Sequence, residues 1–284
     1  MTWIIIVALI VIIGFVLDRE IYFYEGVHLG PRVQAWLYDR WSKKYDAGKR
    51  ESQLRDDEIL ARPLLDKLKE IPQPFILDFA TGTGRLSYVL LNQADFNGHI
   101  IALDLSQGML EQASAKLSTL GQGGHVGPPL PKNVELLRHL ALPLLFSDST
   151  FDAVCALEVL ELFPSMDEPL AELTRVLRPG GILLTSRGTE ESGRRAKVKS
   201  KSVFTSLLET NKLRDVQITK WWKLFDRVLA VKHGSSNAVG AKELSAVLRC
   251  GACGQVEWGR EASTWTCRHC GKELSITKEG IVLN

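Results

Sequence analysis

The sequence predicts an α/β fold built on a doubly wound, mostly parallel sheet. Short apolar runs that end at an acid alternate with helical patterns, and this alternation is typical of parallel sheets covered on both faces. The first run ends at Asp78 and is followed by two glycines, Gly82 and Gly84. The second run ends at Asp104. An apolar N-terminal stretch and a cysteine-rich C-terminal stretch flank this predicted domain.

Length and composition limit the possible protein classes. With 284 residues, the chain is long enough for one α/β domain and a small accessory domain. Hydrophobic content of 45% and charged content of 24% predict a globular rather than a disordered chain. A net charge of +2 gives no whole-protein attraction to nucleic acid.

Residues 3–17 are almost wholly apolar, with no basic residue before them and no small-x-small cleavage site after them. Although the run is short for a hydrocarbon core of about 30 Å, it is apolar all round, which favours a membrane anchor over residues 1–24. A buried N-terminal helix and a membrane-surface helix are the alternatives. Basic residues follow the run: Arg19, Arg32, Arg40, Lys43 and Lys44. The positive-inside rule therefore predicts a single-pass protein whose remaining domains are cytoplasmic.

The glycine turn after Asp78 is typical of a nucleoside-cofactor site. A strand, a tight turn and a helix start hold the polar part of such a ligand, and glycines allow backbone N–H groups to approach it closely. The third glycine of a dinucleotide fingerprint falls at Ser87, which disfavours NAD. Asp104 stands about 20 residues beyond the turn, where an acid accepts hydrogen bonds from ribose hydroxyls. The alternative for Asp104 is an N-cap acid for a helix starting near Gln107.

The stretch from Asp78 to Gly84 resembles motif I of class I S-adenosylmethionine-dependent methyltransferases, acid-x-Ala/Gly-x-Gly-x-Gly. Two further landmarks are similar to that family: the strand Phe151-Asp-Ala-Val and the turn Arg178-Pro-Gly-Gly. The resemblance implies a seven-stranded Rossmann-like methyltransferase domain over residues 25–232, whose glycine loop contacts the methionine part of the cofactor.

The same resemblance implies individual cofactor contacts. Asp78 lies near the amino end of the cofactor, and the residue after Asp104 and the following methionine pack on its adenine. The acid that usually contacts the adenine amino group falls at Leu140, so that apolar contact, backbone or His139 takes its place. The cofactor-binding residues implied are Asp78, Ala80, Gly82, Thr83, Gly84, Asp104, Leu105, Met109, Leu140 and Glu158.

The run Glu158-Val-Leu-Glu161 resembles the quinone-biosynthesis type of methyltransferase, in which a histidine normally follows. Leu162 stands in that position, which departs from the pattern on which a metal or base role for Glu158 and Glu161 depends. One of them is alternatively the start of the next helix, because acids suit helix N-termini. No catalytic residue is identified from the sequence.

Three other segments carry weaker signals. The aromatic residues of a helix over 25–70 are either a packing stripe or, at Tyr45, a cofactor contact: Trp36, Tyr38, Trp41 and Tyr45. Residues 121–131 are rich in glycine and proline and predict a surface insertion. The basic stretch 187–201 predicts either a solvated face or mobile lid, or a contact with anionic lipid or a phosphate-bearing substrate.

Two Cys-x-x-Cys pairs follow a predicted linker at 233–243. Cys250, Cys253, Cys267 and Cys270 supply four thiolates, as a structural zinc site requires, whereas a redox site needs only one pair. Metal binding would supply the folding free energy of a zinc ribbon over 244–284, because about 40 residues form little core. The ribbon resembles the small zinc-binding family that includes the activating partner of certain tRNA and protein methyltransferases. That resemblance implies a scaffold or substrate-presenting role.

Together these features predict a membrane-anchored methyltransferase with S-adenosylmethionine and a structural Zn²⁺ as cofactors. Its expected acceptor is an apolar or membrane-associated small molecule, quinone- or lipid-like. Methyl transfer by direct displacement depends mainly on alignment, so a general base is not required. One alternative is an RNA or protein methyltransferase that presents its substrate on the ribbon. A second is a non-catalytic, membrane-anchored adaptor that retains the fold.

Overall fold

The computed structural model describes residues 2–120, 130–192 and 198–284. The helices in these ranges are α1 (Thr2–Asp18), α2 (Pro31–Gln53), α3 (Arg62–Leu68), α4 (Arg85–Leu91), α5 (Gln107–Ser118), α6 (Asp167–Val176) and α7 (Lys201–Thr210). The first seven strands are β1 (Phe75–Phe79), β2 (His99–Asp104), β3 (Val134–Arg138), β4 (Phe151–Ala156), β5 (Leu177–Gly188), β6 (Leu213–Lys220) and β7 (Phe225–Lys232). Four shorter strands follow: β8 (Trp258–Arg260), β9 (Thr264–Cys267), β10 (Glu273–Ile276) and β11 (Ile281–Leu283).

One sheet contains all these strands, in the order β6-β7-β5-β4-β1-β2-β3-β11-β10-β9-β8. Strands β1 to β5 are mutually parallel, and β7 is antiparallel to β5. The predicted doubly wound, mostly parallel α/β fold is therefore confirmed. The predicted count of seven strands is too low, because the C-terminal strands continue the sheet rather than standing apart from it.

The added strands join at β3, which would otherwise be the edge of the sheet. Strand β11 pairs with β3 in parallel, with Ile281 opposite Leu136 and Leu283 opposite Arg138. An edge strand presents unpaired N–H and C=O groups that another strand can satisfy. The C-terminal segment thus covers the edge of the α/β sheet and also shares its core, since Leu248 and Trp265 belong to the same buried cluster as Leu77.

The two faces of the sheet carry separate apolar layers, because neighbouring side chains of a strand point to opposite sides. In β1, Leu77 belongs to the layer that includes Leu173 of α6. Ile76 belongs to the opposite layer, with Leu90 of α4 and Leu110 of α5. Helices therefore cover both faces, which leaves the loops at the carboxyl ends of the strands available to form a site.

The predicted membrane anchor is wrong. Helix α1 contains 17 residues, so at 1.5 Å per residue it is about 25 Å long, shorter than a hydrocarbon core of about 30 Å. No helix in the described ranges is long and apolar enough to cross a membrane. The single-pass topology, and the cytoplasmic placement deduced from it, are therefore corrected.

Two weaker predictions fall partly outside the described residues. Residues 121–129 of the predicted surface insertion lie outside, as do residues 193–197 of the basic stretch. Within the described part of that stretch, Arg187 is buried and pairs with Asp226 at 2.7 Å and with Glu190 at 3.2 Å. Arg187 is therefore part of the fold rather than of an exposed basic face.

Candidate functional site

A cavity of about 370 Å³ lies beneath α2, at the carboxyl ends of β1, β2 and β4. Strand β1 has β2 as its neighbour on one side and β4 on the other, so the order of the strands changes direction at β1. Ligands of open α/β sheets bind at such a switch in strand order. The volume lies within the range of about 300–1,000 Å³ for small-molecule sites. A recess of about 50 Å³, walled by Lys49, Asp78 and Arg85 among others, adjoins the cavity.

The glycine loop after β1 forms one wall of the cavity. Ala80, Gly82 and Gly84 all have positive φ, at 54°, 56° and 73°. A Cβ added to Gly82 would meet no atom within 4 Å, so this position opens into free space. A Cβ added to Gly84 would lie 3.1 Å from the Cβ of Ala113. Gly82 therefore leaves room for a ligand against the backbone, while Gly84 allows α4 to pack against α5.

Asp78 braces this loop from below. Its Oδ2 accepts hydrogen bonds from the hydroxyls of Thr81 at 2.7 Å and Ser87 at 2.6 Å. Burial raises the pKa of the Asp78 carboxyl, and these hydrogen bonds oppose that shift. Ser87 occupies the position of the third glycine of a dinucleotide fingerprint. Its hydroxyl donates to Asp78, a contact that a glycine could not make.

Asp104 joins the glycine loop to the start of α5. Its Oδ2 accepts a hydrogen bond from the N–H of Gly82 at 2.8 Å, and its Oδ1 accepts one from the N–H of Ser106 at 2.8 Å. Burial, with an addition from the charge of Asp78, raises the pKa of Asp104 to about 6. The N-cap of α5 is Ser106, whose hydroxyl accepts from the N–H of Met109. Asp104 is thus a cavity-wall acid rather than the helix cap.

Helix α2 covers the cavity with a single face. Pro31, Gln34, Tyr38 and Tyr45 line the cavity, and Lys49 lines the recess. Their spacings of three, four, seven and four residues keep them on one side of a helix. The sequence alone did not show which aromatic residues of this helix pack and which face a ligand site. In the structure, Tyr38 and Tyr45 face the cavity, whereas Trp36 is 54% exposed.

Polar contacts hold α2 against the glycine loop and α5. Asp39 accepts hydrogen bonds from the hydroxyl of Ser106 at 2.6 Å and the N–H of Gly108 at 2.8 Å. About two turns further on, Asp46 accepts from the hydroxyl of Thr83 at 2.6 Å and pairs with Lys116 at 2.6 Å. The cover is therefore fixed at two points along its length.

A charged cluster stands where the cavity meets the recess. Glu158 has a φ of 55° and pairs with Lys49 and with Nη1 of Arg85, the latter at 2.9 Å. Arg85 also pairs with Asp56 and lies over the ring of Trp221, 4.5 Å from its centroid. Glu158 was predicted from the sequence, but the two cations were not. A basic residue opening a helix, or one on an amphipathic helix, is too common to indicate a site.

The remaining walls are mostly apolar. Beside Leu105 and Met109, four consecutive residues after β3 line one end: His139, Leu140, Ala141 and Leu142. Val27, Leu162, Phe163 and Pro164 form the other end. Leu162 thus contributes an apolar wall where a histidine was expected by resemblance. Glu161 does not line the cavity, and its Oε1 accepts from the N–H of Gly188 at 2.8 Å.

The predicted cofactor-binding residues, all of which the structure describes, come together at this place. Gly84 is the exception, since it contributes to neither the cavity nor the recess. The others form the walls: Asp78, Ala80, Gly82, Thr83, Asp104, Leu105, Met109, Leu140 and Glu158.

The four predicted zinc ligands also converge. Their Sγ atoms lie within 4.8 Å of one another, with Cys250 and Cys270 at 3.6 Å and Cys253 and Cys267 at 3.6 Å. Four sulfurs at about 2.3 Å from a tetrahedral zinc lie about 3.8 Å apart. The cluster therefore has the donor type and the approximate spacing of a structural zinc site.

Comparison with known proteins agrees with this geometry. Residues 77–185 match the family described as "Methyltransferase domain". The chain is 33% identical over 156 residues to a demethylmenaquinone methyltransferase of Lactobacillus johnsonii, covering 54% of this chain and 61% of that protein. It is 35% identical over 109 residues to the ubiquinone/menaquinone biosynthesis C-methyltransferase UbiE of Francisella tularensis subsp. tularensis, covering 38% of this chain and 40% of the relative. The chain thus spans less than two thirds of these relatives.

A solved structure of a SAM-dependent methyltransferase from Aquifex aeolicus is similar in fold, with a TM-score of 0.51 at 22% identity. The similarity covers 68% of this chain and 97% of that one. The doubly wound sheet and the glycine loop that opens into the cavity agree with the family match. Residues 77–185 match a methyltransferase domain.

Proposed function

We propose that the chain is a C-methyltransferase that moves a methyl group from S-adenosylmethionine to a quinone-like, apolar small molecule. The observation that carries this proposal is a cavity with the glycine loop at one side and an apolar end formed by Val27, Pro31, Leu162 and Phe163. The two relatives named for menaquinone and ubiquinone biosynthesis support the same class of acceptor.

S-adenosylmethionine would supply a methyl group bonded to a positively charged sulfur. In the recess, Lys49 and Arg85 suit the carboxylate of its amino-acid part, and Glu158 suits the amino group. Asp104 suits the ribose hydroxyls. Leu105, Met109 and Leu140 offer an apolar surface for the adenine. The open space at Gly82 allows the cofactor to lie against the backbone.

The apolar end carries few polar side chains, namely Gln34, Tyr38 and Glu168, and their oxygen atoms suit a ring with hydroxyl groups. The Tyr38 hydroxyl donates to Oε2 of Glu25 at 2.5 Å, so its oxygen is left to accept a hydrogen bond from an acceptor hydroxyl. Burial raises the pKa of Tyr38, so this group stays protonated near neutral pH. Gln34 adds a buried amide one helical turn away. Holding the acceptor carbon in line with the methyl group is the main task of such a site.

We further propose that the four cysteines bind a structural zinc and that the ribbon acts as a scaffold. None of these four residues, all described by the structure, lines the cavity. The predicted division into residues 25–232, 233–243 and 244–284 stays a prediction. The backbone N–H groups of Val239 and Gly240, in the predicted linker, donate to Asp152 of the α/β domain.

The test uses the purified full chain with its metal. Calorimetric titration with S-adenosylmethionine should show one site per chain, and metal analysis should show one zinc. With a methyl-labelled cofactor, label should enter a reduced, short-chain demethylated naphthoquinone and not total RNA or protein. Label only in RNA or protein would refute the acceptor assignment. A chain that binds no S-adenosylmethionine would instead be a non-catalytic protein that retains the fold.

A further inference from the structure

The loop after β3 supplies a continuous part of the cavity wall. His139, Leu140, Ala141 and Leu142 all line the cavity, at the end proposed to hold the adenine. Within the α/β domain, the N–H of His139 donates to the carbonyl of Asp104 at 3.0 Å. A loop has no regular backbone pairing of its own, so its position depends on whatever groups hold its ends.

Both ends of this loop contact the C-terminal ribbon, and α6 also holds the second end, since the N–H of Leu144 donates to Oε1 of Glu172 at 2.6 Å. At the first end, Nδ2 of Asn284 lies 2.9 Å from Nδ1 of His139. At the second end, the N–H of Arg249 donates to the carbonyl of Leu145 at 2.8 Å. The residues that line the cavity lie between these two contacts. The ribbon therefore clamps the loop at positions 139 and 145.

The direction of the first hydrogen bond follows from the ring of His139. Its Nε2 lies 3.2 Å from the carbonyl oxygen of Pro143, which can only accept, so Nε2 carries a proton. Burial lowers the pKa of His139, so the ring is neutral at pH 7 and Nδ1 is an acceptor. The amide of Asn284 is then the donor, and the His139 ring joins the ribbon to the loop.

Both clamps lie next to the first cysteine pair, Cys250 and Cys253. Arg249 directly precedes Cys250, and Gly251 lies inside the pair. A Cβ added to Gly251 would be 3.5 Å from Cδ1 of Leu145 and 3.8 Å from Oδ1 of Asn284. The backbone of the metal-binding turn thus lies directly behind the two points at which the loop is held.

We propose that the metal-bound ribbon sets the position of the loop 139–145 and thereby the affinity of the cavity for S-adenosylmethionine. Asn284 acts as a positioning residue, since it does not line the cavity and its side chain bonds to His139, which does. The inference rests on the proposed function, because it concerns the same cofactor site. It adds a regulatory input to that site: loss of the metal weakens cofactor binding without any change in a residue that contacts the cofactor.

The test compares two variants that each remove one hydrogen bond between ribbon and domain. Asn284→Ala removes the first of the two clamps on the loop, the one at His139. Ser114→Ala removes the bond from the Ser114 hydroxyl to the carbonyl of Glu279, 2.8 Å long and away from the loop. Calorimetry should show the Kd for S-adenosylmethionine raised about tenfold in Asn284→Ala, within the usual range of coupling between sites. The Kd should stay within about twofold of wild type in Ser114→Ala, with a similar loss of Tm in both.

Two further measurements separate positioning from general stability. Asn284→Asp places an acceptor opposite the Nδ1 acceptor, so its Kd relative to wild type should be poorest at pH 8.5. The new carboxylate favours protonated His139, which can donate, so the Kd relative to wild type should recover toward pH 5.5. Removing the metal with a strong chelator should raise the wild-type Kd at least as much as Asn284→Ala does. Equal Kd values for both alanine variants, or a chelated protein with the wild-type Kd, would overturn the inference. Failure of the wild type to bind the cofactor would refute the proposed function instead.

Discussion

Arg178 and Asp152 form a buried ion pair in which Nε lies 2.6 Å from Oδ1. The same carboxylate accepts hydrogen bonds from the N–H groups of Phe75, Val239 and Gly240 at 2.9–3.0 Å. One acid thus joins the start of β1, the start of β5 and the segment that leads to the ribbon. The two landmarks of the sequence, Phe151-Asp152 and Arg178-Pro-Gly-Gly, therefore contact each other through this ion pair.

Asp152→Asn is expected to destabilise the protein strongly. Removing one charge of a buried pair leaves its partner uncompensated, which costs about 3–5 kcal/mol. Urea unfolding should show a loss of this order. Asp148→Asn is the matched control, since Asp148 pairs with Arg175 at 2.8 Å but its side chain is 78% exposed. That variant should lose less than about 1 kcal/mol, and equal losses in the two variants would contradict the assignment.

The two glycines of the loop are expected to respond differently to alanine. In Gly82→Ala the new methyl group enters the space left for the cofactor, so calorimetry should show at least about a tenfold rise in Kd, equivalent to about 1.4 kcal/mol. In Gly84→Ala the methyl group meets Ala113 at 3.1 Å, so thermal unfolding should be affected more than the Kd. Both variants also carry the cost of about 1–2 kcal/mol for an L-residue at positive φ. A larger rise in Kd for Gly84→Ala would refute this distinction.

The parts of the site that are local in sequence could be predicted from it. Apolar runs that stop at an acid predict the end of β1 to within one residue of Asp78 and the end of β2 at Asp104, and the glycine turn lies between the two strands. The inward face of α2 could not be assigned in the same way. Tyr38 and Tyr45 face a cavity, but aromatic residues that face a core have the same helical spacing. Only the position of α2 over the sheet separates the two cases.

Long-range pairing also lies beyond local patterns. Glu158 meets Lys49 and Arg85 across 109 and 73 residues of sequence, so nothing near any one of them indicates the other two. The pairing of β11 with β3 could not be predicted either. The cysteine pattern predicts a metal site but does not indicate which edge of the sheet the ribbon covers. The membrane prediction failed for another reason: the apolar character of residues 3–17 outweighed a length that was already short.

Asp104 is expected to make cofactor binding weaken in acid. Its pKa, raised by burial to about 6, means that the carboxylate becomes protonated as the pH falls through that value. A protonated carboxyl accepts hydrogen bonds from ribose less well, so the Kd measured by calorimetry should rise below about pH 6. Asp104→Asn should bind more weakly and lose this pH dependence. A wild-type Kd that is constant between pH 5 and pH 8 would contradict the role.

The raised pKa of Asp104 affects folding stability in the opposite direction. Without the cofactor, acid stabilises the fold, although it weakens cofactor binding. Because the pKa of Asp104 is about 6 in the folded state and about 3.9 in the unfolded state, the folded protein binds the proton more tightly. This contribution to stability is fully present below about pH 3.9 and is lost as the pH rises through 6. Relative to Asp104→Asn, the wild type should therefore be less stable at pH 7.5 than at pH 5 in urea unfolding.

Phe163→Ala is expected to affect the acceptor and spare the cofactor. Phe163 lines the apolar end of the cavity and stacks on Phe79, with the ring centroids 6.3 Å apart. Burying an aromatic side chain against a ligand contributes about 1.5–3 kcal/mol, so the KM for a naphthoquinol acceptor should rise about tenfold or more. The Kd for S-adenosylmethionine should stay within about twofold of wild type. Leu54→Ala is the surface control, because Leu54 is 79% exposed, and both constants should be unchanged. A raised cofactor Kd with an unchanged acceptor KM in Phe163→Ala would place the acceptor elsewhere in the cavity.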